Sequence, residues 1–405
     1  MLPLWRQLDP FLLPVVQGTA VGKDILDVTL IARRCNRRAG IPFYFFLFFP
    51  STLRFHKACY CNWLVNIGTR MWRRGADSDG FVANFVESEQ MIQLKSYTAS
   101  FVQVRGSIPL LWNQIVDLTY KPKFEIMRIM ESPRIVERHY LDLRKKYGNV
   151  LSIDLVNKHG GEGRLHEKFA NAMQHVAGDD VRYLHFDFHH ICGHVHFERL
   201  SILYDRIEDF FIKNRYFLIS EKGEKVELQH GILRTNCIDC LDRTNVTQSM
   251  LGRKMLEFQL RRLGAFDAGE SISSYPNLDE SFKLLWANHG DDISIQYSGT
   301  PALKGDFVRF GHRTAQGVLA DGCNALTRYY LNNFVDGTNQ SFPLALGLIL
   351  TGLFFAMLSL RNVGHGLRNL IYAIVWASIS LGIAAYVRAN GQMFCNRPSL
   401  HQSRR

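Results

Sequence analysis

Two uninterrupted apolar runs near the carboxy terminus constrain this chain most. Residues 342–360 are 19 in a row without a charge, and residues 370–387 supply 18 more. At about 1.5 Å of rise per residue, each run as a helix is roughly 28 Å long, close to the ~30 Å hydrocarbon core of a bilayer. A core helix of a soluble protein meets the same length test. Two runs joined by a nine-residue link predict a transmembrane hairpin instead. Two spans return the chain to the face it came from. The tail carries Arg388, Arg397, Arg404 and Arg405, against Arg361 and Arg368 in the link, which puts tail and preceding domain on the cytosolic side.

The rest of the chain needs a different solution. With 405 residues and 47% apolar content it can bury a large core in two or three domains. The net charge of +11 suits an anionic partner, a lipid surface or nucleic acid. Zinc-finger spacing, RNA-binding aromatics and a basic helix are all missing, so the lipid surface is favoured over nucleic acid. Eight scattered cysteines, with no secretory signal in the opening Met1–Asp9, predict free thiols facing a reducing compartment.

Periodicity predicts helices over 135–146, 165–176 and 198–214, alternating with strands at 149–156, 183–188 and 216–220. That alternation argues for an α/β fold. His190, Cys192, His194 and His196 share one face if this stretch is a strand, and imidazole with thiolate suits zinc. One crowded strand wraps a tetrahedron poorly, so no metal and no cofactor are expected. Asp291 and Asp292 read as capped loop carboxylates.

The chemistry is concentrated between His230 and Val246. Val226 and Leu228 alternate with charged residues and lead through Gly231, Ile232 and Leu233 as a strand. Leu251, Met255 and Phe258 mark an amphipathic helix beyond. A strand, a short loop and a helix N-terminus form an anion site. Cys237 opens the loop and Arg243 closes it, five residues intervening. The helix dipole lowers the pKa of such a cysteine, and the arginine can grip phosphate through two N–H groups. This is a layout for cysteine-based phosphate-ester chemistry.

The wording from Arg234 to Gln248, Arg-Thr-Asn-Cys-Ile-Asp-Cys-Leu-Asp-Arg-Thr-Asn-Val-Thr-Gln, resembles the signature of the Sac-domain (suppressor-of-actin) phosphoinositide phosphatases. Stretches 77–90, 101–112, 282–297, 299–304 and 321–330 resemble the same family. The resemblance implies a partial amino-terminal Sac subdomain over 1–110, a catalytic domain over 111–340, two transmembrane helices over 341–388 and a basic cytosolic tail over 389–405. Family members carry a longer amino-terminal subdomain, so only its later part is expected here. The family wording runs from Gly40 directly into Thr69, so 41–68, with its Phe43–Phe49 apolar run between Pro42 and Pro50, reads as an insertion rather than a buried strand with an extra loop. The hairpin and tail are most similar to plant members, in which several dozen more residues precede the first span.

The resemblance further implies hydrolysis of a phosphoinositide phosphomonoester, with phosphatidylinositol 4-phosphate the expected lipid and the endoplasmic reticulum or Golgi the expected membrane. Cys237 is then the nucleophile and Arg243 the phosphate-holding cation. Asp239 and Asp242 are the candidate acid and base, though each suits a helix cap or a brace for Arg243 equally well. Asn236, Ile238, Cys240, Leu241 and Thr244 would line the bound phosphate. Arg105, at a strand end, suits phosphate binding or a salt bridge with Glu87 or Glu89. Cys240 suits packing or a resolving thiol. Among rivals, a Cys237–Cys240 redox pair ignores the Arg and Asp wording, and an aspartyl-phosphate enzyme wants a different aspartate spacing. A protein-tyrosine phosphatase shares Cys237 and Arg243, but the hairpin favours lipid. An inactive, membrane-anchored phosphoinositide binder is the alternative from another class.

Overall fold

The computed structural model describes residues 16–21, 24–36, 43–46, 74–94, 96–114, 117–119, 123–127, 129–193, 196–335, 338–361 and 367–395. Most of the 41–68 stretch, His194 and the tail beyond Cys395 lie outside the described residues. The chain opens with β1 (Val16–Val21), β2 (Asp24–Asn36), β3 (Phe43–Phe46), β4 (Val86–Leu94) and β5 (Tyr97–Arg105). A separate ribbon of β6 (Trp112–Gln114) and β7 (Phe124–Ile126) follows. Next come α1 (Ser132–Tyr147), β8 (Asn149–Asp154), α2 (Gly163–Gln174), β9 (Val181–His185), α3 (Phe188–Cys192) and α4 (Ser201–Asn214). The hairpin β10 (Phe217–Ser220) and β11 (Lys225–Glu227) leads to β12 (Gly231–Asn236). Helices α5 (Asp242–Arg262), α6 (Pro276–Ser298), α7 (Gly305–Phe310), α8 (Ala315–Tyr330), α9 (Ser341–Arg361) and α10 (Leu367–Ala389) follow among the described residues.

One mixed sheet runs in the order β1-β2-β4-β5-β12-β8-β9. The first four strands pair antiparallel, and β3 lies against the end of β2. Strands β5, β12, β8 and β9 are parallel neighbours. Strand side chains alternate between faces, and in β12 this sends Ile232 and Leu233 into two different cores. Ile232 packs with Val136 and Tyr140 of α1 and Phe169 of α2, and Leu233 with Ile207 of α4, Leu251 and Met255 of α5 and Trp286 of α6. Helices therefore cover both faces, as parallel strands require. The α/β architecture is the one expected.

Three local expectations need correction. The stretch 226–233 is not one strand: β11 pairs with β10, and β12 starts afresh at Gly231. A Cβ at Gly231 would lie 2.4 Å from Asn214 Oδ1 at the end of α4, so the chain turns where a side chain cannot fit. Residues 188–192 form a helix rather than a strand, because the Asp187 carboxylate caps it by accepting from His190 N at 3.0 Å. Cys192 then enters the core while His190 faces solvent, and the shared histidine face is lost. Asp291 and Asp292 lie inside α6, not in a loop. Burial and the neighbouring Asp291 push Asp292 up to about 7.

Helices α9 and α10 are 21 and 23 residues, long and apolar enough to cross a membrane. They pack on each other at Gly352, where a Cβ would meet Ser380 Oγ. Their outer faces leave Leu344, Leu350, Ile374 and Leu381 exposed, as lipid-facing helices do and core helices do not.

Candidate active site

The carboxyl ends of the parallel strands converge, the usual place for a site in an α/β sheet. Strand β12 ends at Asn236, β5 at Arg105 and β8 at Asp154, with Thr235 opposite Arg105 and Asn236 opposite Asp154. Residues 237–241 form the loop, and α5 starts at Asp242. Cys240 adopts φ +55°, a left-handed conformation that turns the chain sharply enough to fold the loop back on itself.

That turn brings polar groups to the Cys237 sulfur. Cys240 N donates to Cys237 Sγ at 3.0 Å, and Thr244 Oγ1, from the first turn of α5, donates at 3.4 Å. The Cys240 thiol lies 2.9 Å from Gly106 O and 3.4 Å from Cys237 O. Its hydrogen bonding, the Arg243 charge and the Thr244 hydroxyl outweigh burial and bring the Cys237 thiol from 9.0 down to about 7. Burial pushes Cys240 the other way, well above the ordinary range. One cysteine is thus poised as a thiolate and its neighbour kept as a thiol.

Arg243 is held on a rigid mount. Its Nη1 donates to Leu155 O at 3.1 Å, Asn157 Oδ1 at 3.3 Å and Glu162 Oε2 at 3.0 Å, and Nη2 donates to Glu162 Oε1 at 2.8 Å. Glu162 therefore takes the arginine through two bonds, as a phosphate would. Burial works against the guanidinium charge, yet Cys237 and Glu162 raise its pKa.

Each predicted aspartate has a cationic partner. Arg74 donates to Asp239 Oδ1 through Nε at 2.7 Å and through Nη2, and Asn84 Nδ2 donates to Asp239 O at 2.6 Å. Asp242 Oδ1 accepts from Leu303 N at 2.6 Å, and Oδ2 faces Arg328 Nη1 at 3.5 Å. The amides of Ala302, Leu303 and Lys304 end in turn on Asp291, Asp242 and Asp321, which clamps this segment over the loop. Burial, Arg313 and Arg243 push the Lys304 amine down.

The remaining predicted residues bond or pack around the loop. Asn236 Nδ2 donates to Asp154 Oδ1 at 2.7 Å, and Asn236 Oδ1 accepts from Arg234 Nη1 at 2.8 Å. Ile238 packs in the core with Ile232, and Leu241 in a smaller cluster with Val86, Ile293 and Tyr297. Arg105 is fully buried beneath the loop and donates to Asn245 Oδ1 at 3.3 Å. Glu87 accepts from Tyr147 and Glu89 from Ser100. Sequence reasoning missed Glu162, Arg74, Asp154, Lys304 and Arg328, none of which stands at a telling spacing from the loop. Among the described residues, Asp154, His166 and His185 bring donor atoms within 4.8 Å of one another. Protein bonds already use them: Asp154 takes His166 and Tyr183, and His185 Nε2 lies 2.8 Å from Val156 O.

Residues 64–193 match the SacI homology domain. The chain is 58% identical to Phosphoinositide phosphatase SAC6 of Arabidopsis thaliana, across 100% of this chain and 73% of that one. It is 56% identical to Phosphoinositide phosphatase SAC7 of the same plant, across 100% and 72%. Similarity extends to Phosphatidylinositol-3-phosphatase SAC1 of Saccharomyces cerevisiae, 35% identical across 84% of this chain and 53% of that one. The chain belongs to the Sac-domain phosphoinositide phosphatase family.

Proposed function

We infer that this chain is a phosphatidylinositol phosphate phosphatase working through a cysteinyl-phosphate. The observation that carries the reading is the Cys237 sulfur held 3.0 Å from the Cys240 amide and 3.4 Å from the Thr244 hydroxyl on a loop closed by Arg243, surroundings that bring its thiol down to about 7. The thiolate attacks phosphorus in line, and the S–P bond forms as the bond to the inositol oxygen breaks. Arg243 stabilises the charge on the equatorial oxygens, Glu162 keeping the guanidinium aimed. A proton goes to the leaving oxygen, then water displaces the cysteine. Asp239 and Asp242 are the two candidates for the proton steps: Asp239 Oδ1 is held by Arg74, and Asp242 spends one oxygen on Leu303 N and aims the other at Arg328.

The preferred lipid under this reading is phosphatidylinositol 4-phosphate, supported by family likeness. The same reading takes catalysis over 111–340 and membrane spans over 341–388, the latter supported by α9 (Ser341–Arg361) and α10 (Leu367–Ala389). The hairpin would anchor the enzyme in the endoplasmic reticulum or Golgi membrane with the loop facing the cytosol. Phosphate release by detergent-solubilised protein, from a panel of phosphoinositides and phosphotyrosine peptides, tests the reading beside Cys237→Ser. Loss of lipid turnover in the variant is expected. Activity surviving the substitution, or a preference for peptides, would sink it.

A further inference from the structure

Helix α8 connects the catalytic loop to the hairpin, and its two faces differ in chemistry. Asp321 and Arg328, seven residues apart, point inward. Asp321 accepts from Lys304 N at 3.0 Å and pairs with Arg313 at 2.8 Å. Arg328 donates to Thr300 Oγ1 at 2.6 Å, Pro301 O at 2.6 Å and Ser294 Oγ at 2.8 Å, and faces Asp242. The outward stripe is Leu319, Cys323, Leu326 and Tyr330, at helical spacing, with Val318 beside it. Leu319 and Leu326 are each 70% exposed, Tyr330 58% and Val318 55%.

No exposed position of α8 carries a charge. A helix facing water normally shows charged residues there, as α1 does with Arg134, Glu137, Arg144 and Lys145. What covers the stripe follows from the chain's continuation. A turn over Leu331–Val335 leads into α9 at Ser341. The base of the hairpin is fastened to the domain: Asn339 N donates to Phe394 O at 2.9 Å, Tyr329 OH donates to Leu118 O at 2.8 Å, and Leu118 packs with Ala345, Val387 and Phe394. Tyr386 is also exposed at this end of the hairpin, and aromatic residues gather at the level of lipid headgroups.

We propose that α8 is an interfacial helix, lying in the headgroup layer of the bilayer that holds α9 and α10, with Leu319, Leu326 and Tyr330 immersed. This rests on the membrane reading of the hairpin. It makes one helix both the membrane seat and, through Arg328 and Asp321, a wall of the catalytic loop. The phosphatase is thereby held face down on its own membrane rather than swinging on a tether.

The labelling test uses the full chain in phosphatidylcholine–phosphatidylinositol vesicles, with Cys35, Cys59, Cys61 and the reactive Cys237 changed to serine and bimane placed on Cys323. Parallel samples, with Cys323 also changed to serine, carry the label at Lys145→Cys on α1 and at Leu350→Cys on α9. Doxyl lipids labelled near the headgroup should quench Cys323 and leave Lys145→Cys untouched, and iodide should do the reverse. Deep-labelled doxyl lipids should quench Leu350→Cys. A quenched Leu350→Cys with Cys323 open to iodide overturns the interfacial helix alone; an unquenched Leu350→Cys overturns the hairpin reading with it. Cys323 shielded from iodide but unquenched by lipid, as burial against a second copy would give, also overturns it. Leu319→Glu with Leu326→Glu should lower turnover of vesicle phosphoinositide several-fold and spare a short-chain soluble substrate. An equal fall on both counts against the proposal.

Discussion

Replacing Cys240 by alanine separates the two ways the loop can stabilise its thiolate. Bringing Cys237 from 9.0 to about 7 corresponds to about 3 kcal/mol favouring the thiolate, at about 1.4 kcal/mol per pH unit. The Cys240 thiol is the largest contributor, yet its single proton has a second acceptor in Gly106 O at 2.9 Å. If the proton turns to the sulfur when Cys237 ionises, Cys240→Ala removes that bond and leaves the amide and Thr244 in place. A rise of the Cys237 pKa to about 8 would cut the thiolate at pH 7 from about half to about a tenth. Cys240→Ser keeps a donor and should stay close to the native value. The assay is the pH dependence of iodoacetamide alkylation, with modified Cys237 located by mass spectrometry. An unchanged midpoint near 7 in Cys240→Ala would refute the reasoning and assign the effect to the amide, Thr244 and Arg243. The same shift appears in stability. The folded pKa lies below the unfolded value near 8.5, so the contribution is complete above about 8.5 and is lost as pH falls through about 7. The stability gap between native protein and Cys237→Ala should therefore shrink by about 2 kcal/mol between pH 9 and pH 6, measured by thermal or denaturant unfolding in detergent.

Other outcomes follow from the same geometry. Glu162→Gln removes the charge that Arg243 holds in the resting enzyme. KM should fall because phosphate no longer competes with a carboxylate, and kcat should fall about tenfold, or about 1.4 kcal/mol, as the guanidinium loses its aim; initial rates showing a raised KM at unchanged kcat would contradict this. Asp242→Asn should cost about 1–3 kcal/mol of stability because Leu303 N and Arg328 lose a charged acceptor, seen as a lower unfolding midpoint. Asp239→Asn should lower the midpoint as well, since buried Arg74 loses its charged partner, and should also alter the pH profile of kcat. Gly290→Ala should destabilise by about 1–3 kcal/mol, since its Cβ would lie 2.2 Å from Asn245 Nδ2, which holds α5 to Trp286 O on α6.

What was legible in the sequence was local. The span from Cys237 to Arg243 between a strand and a helix is a matter of spacing, and the charge-free runs that became α9 and α10 are a matter of composition. Helix and strand periods located α1, β8, α2 and α4 to within a few residues. The 188–192 stretch failed because a cap at Asp187 outweighed the strand reading. Strand order was beyond such reasoning, and strand order builds the site. Placing β12 between β5 and β8 brings Glu162 to Arg243 across 81 residues, Asp154 to Asn236 across 82 and Arg328 to Asp242 across 86. Arg74 reaches Asp239 across 165. Sequence alone singled out the Cys237–Arg243 loop as the candidate chemistry and the two helices that suit a bilayer. Only the tertiary structure decided which charges hold those groups and which face of α8 is left bare, because pair interactions depend on distance in space, which local patterns do not encode.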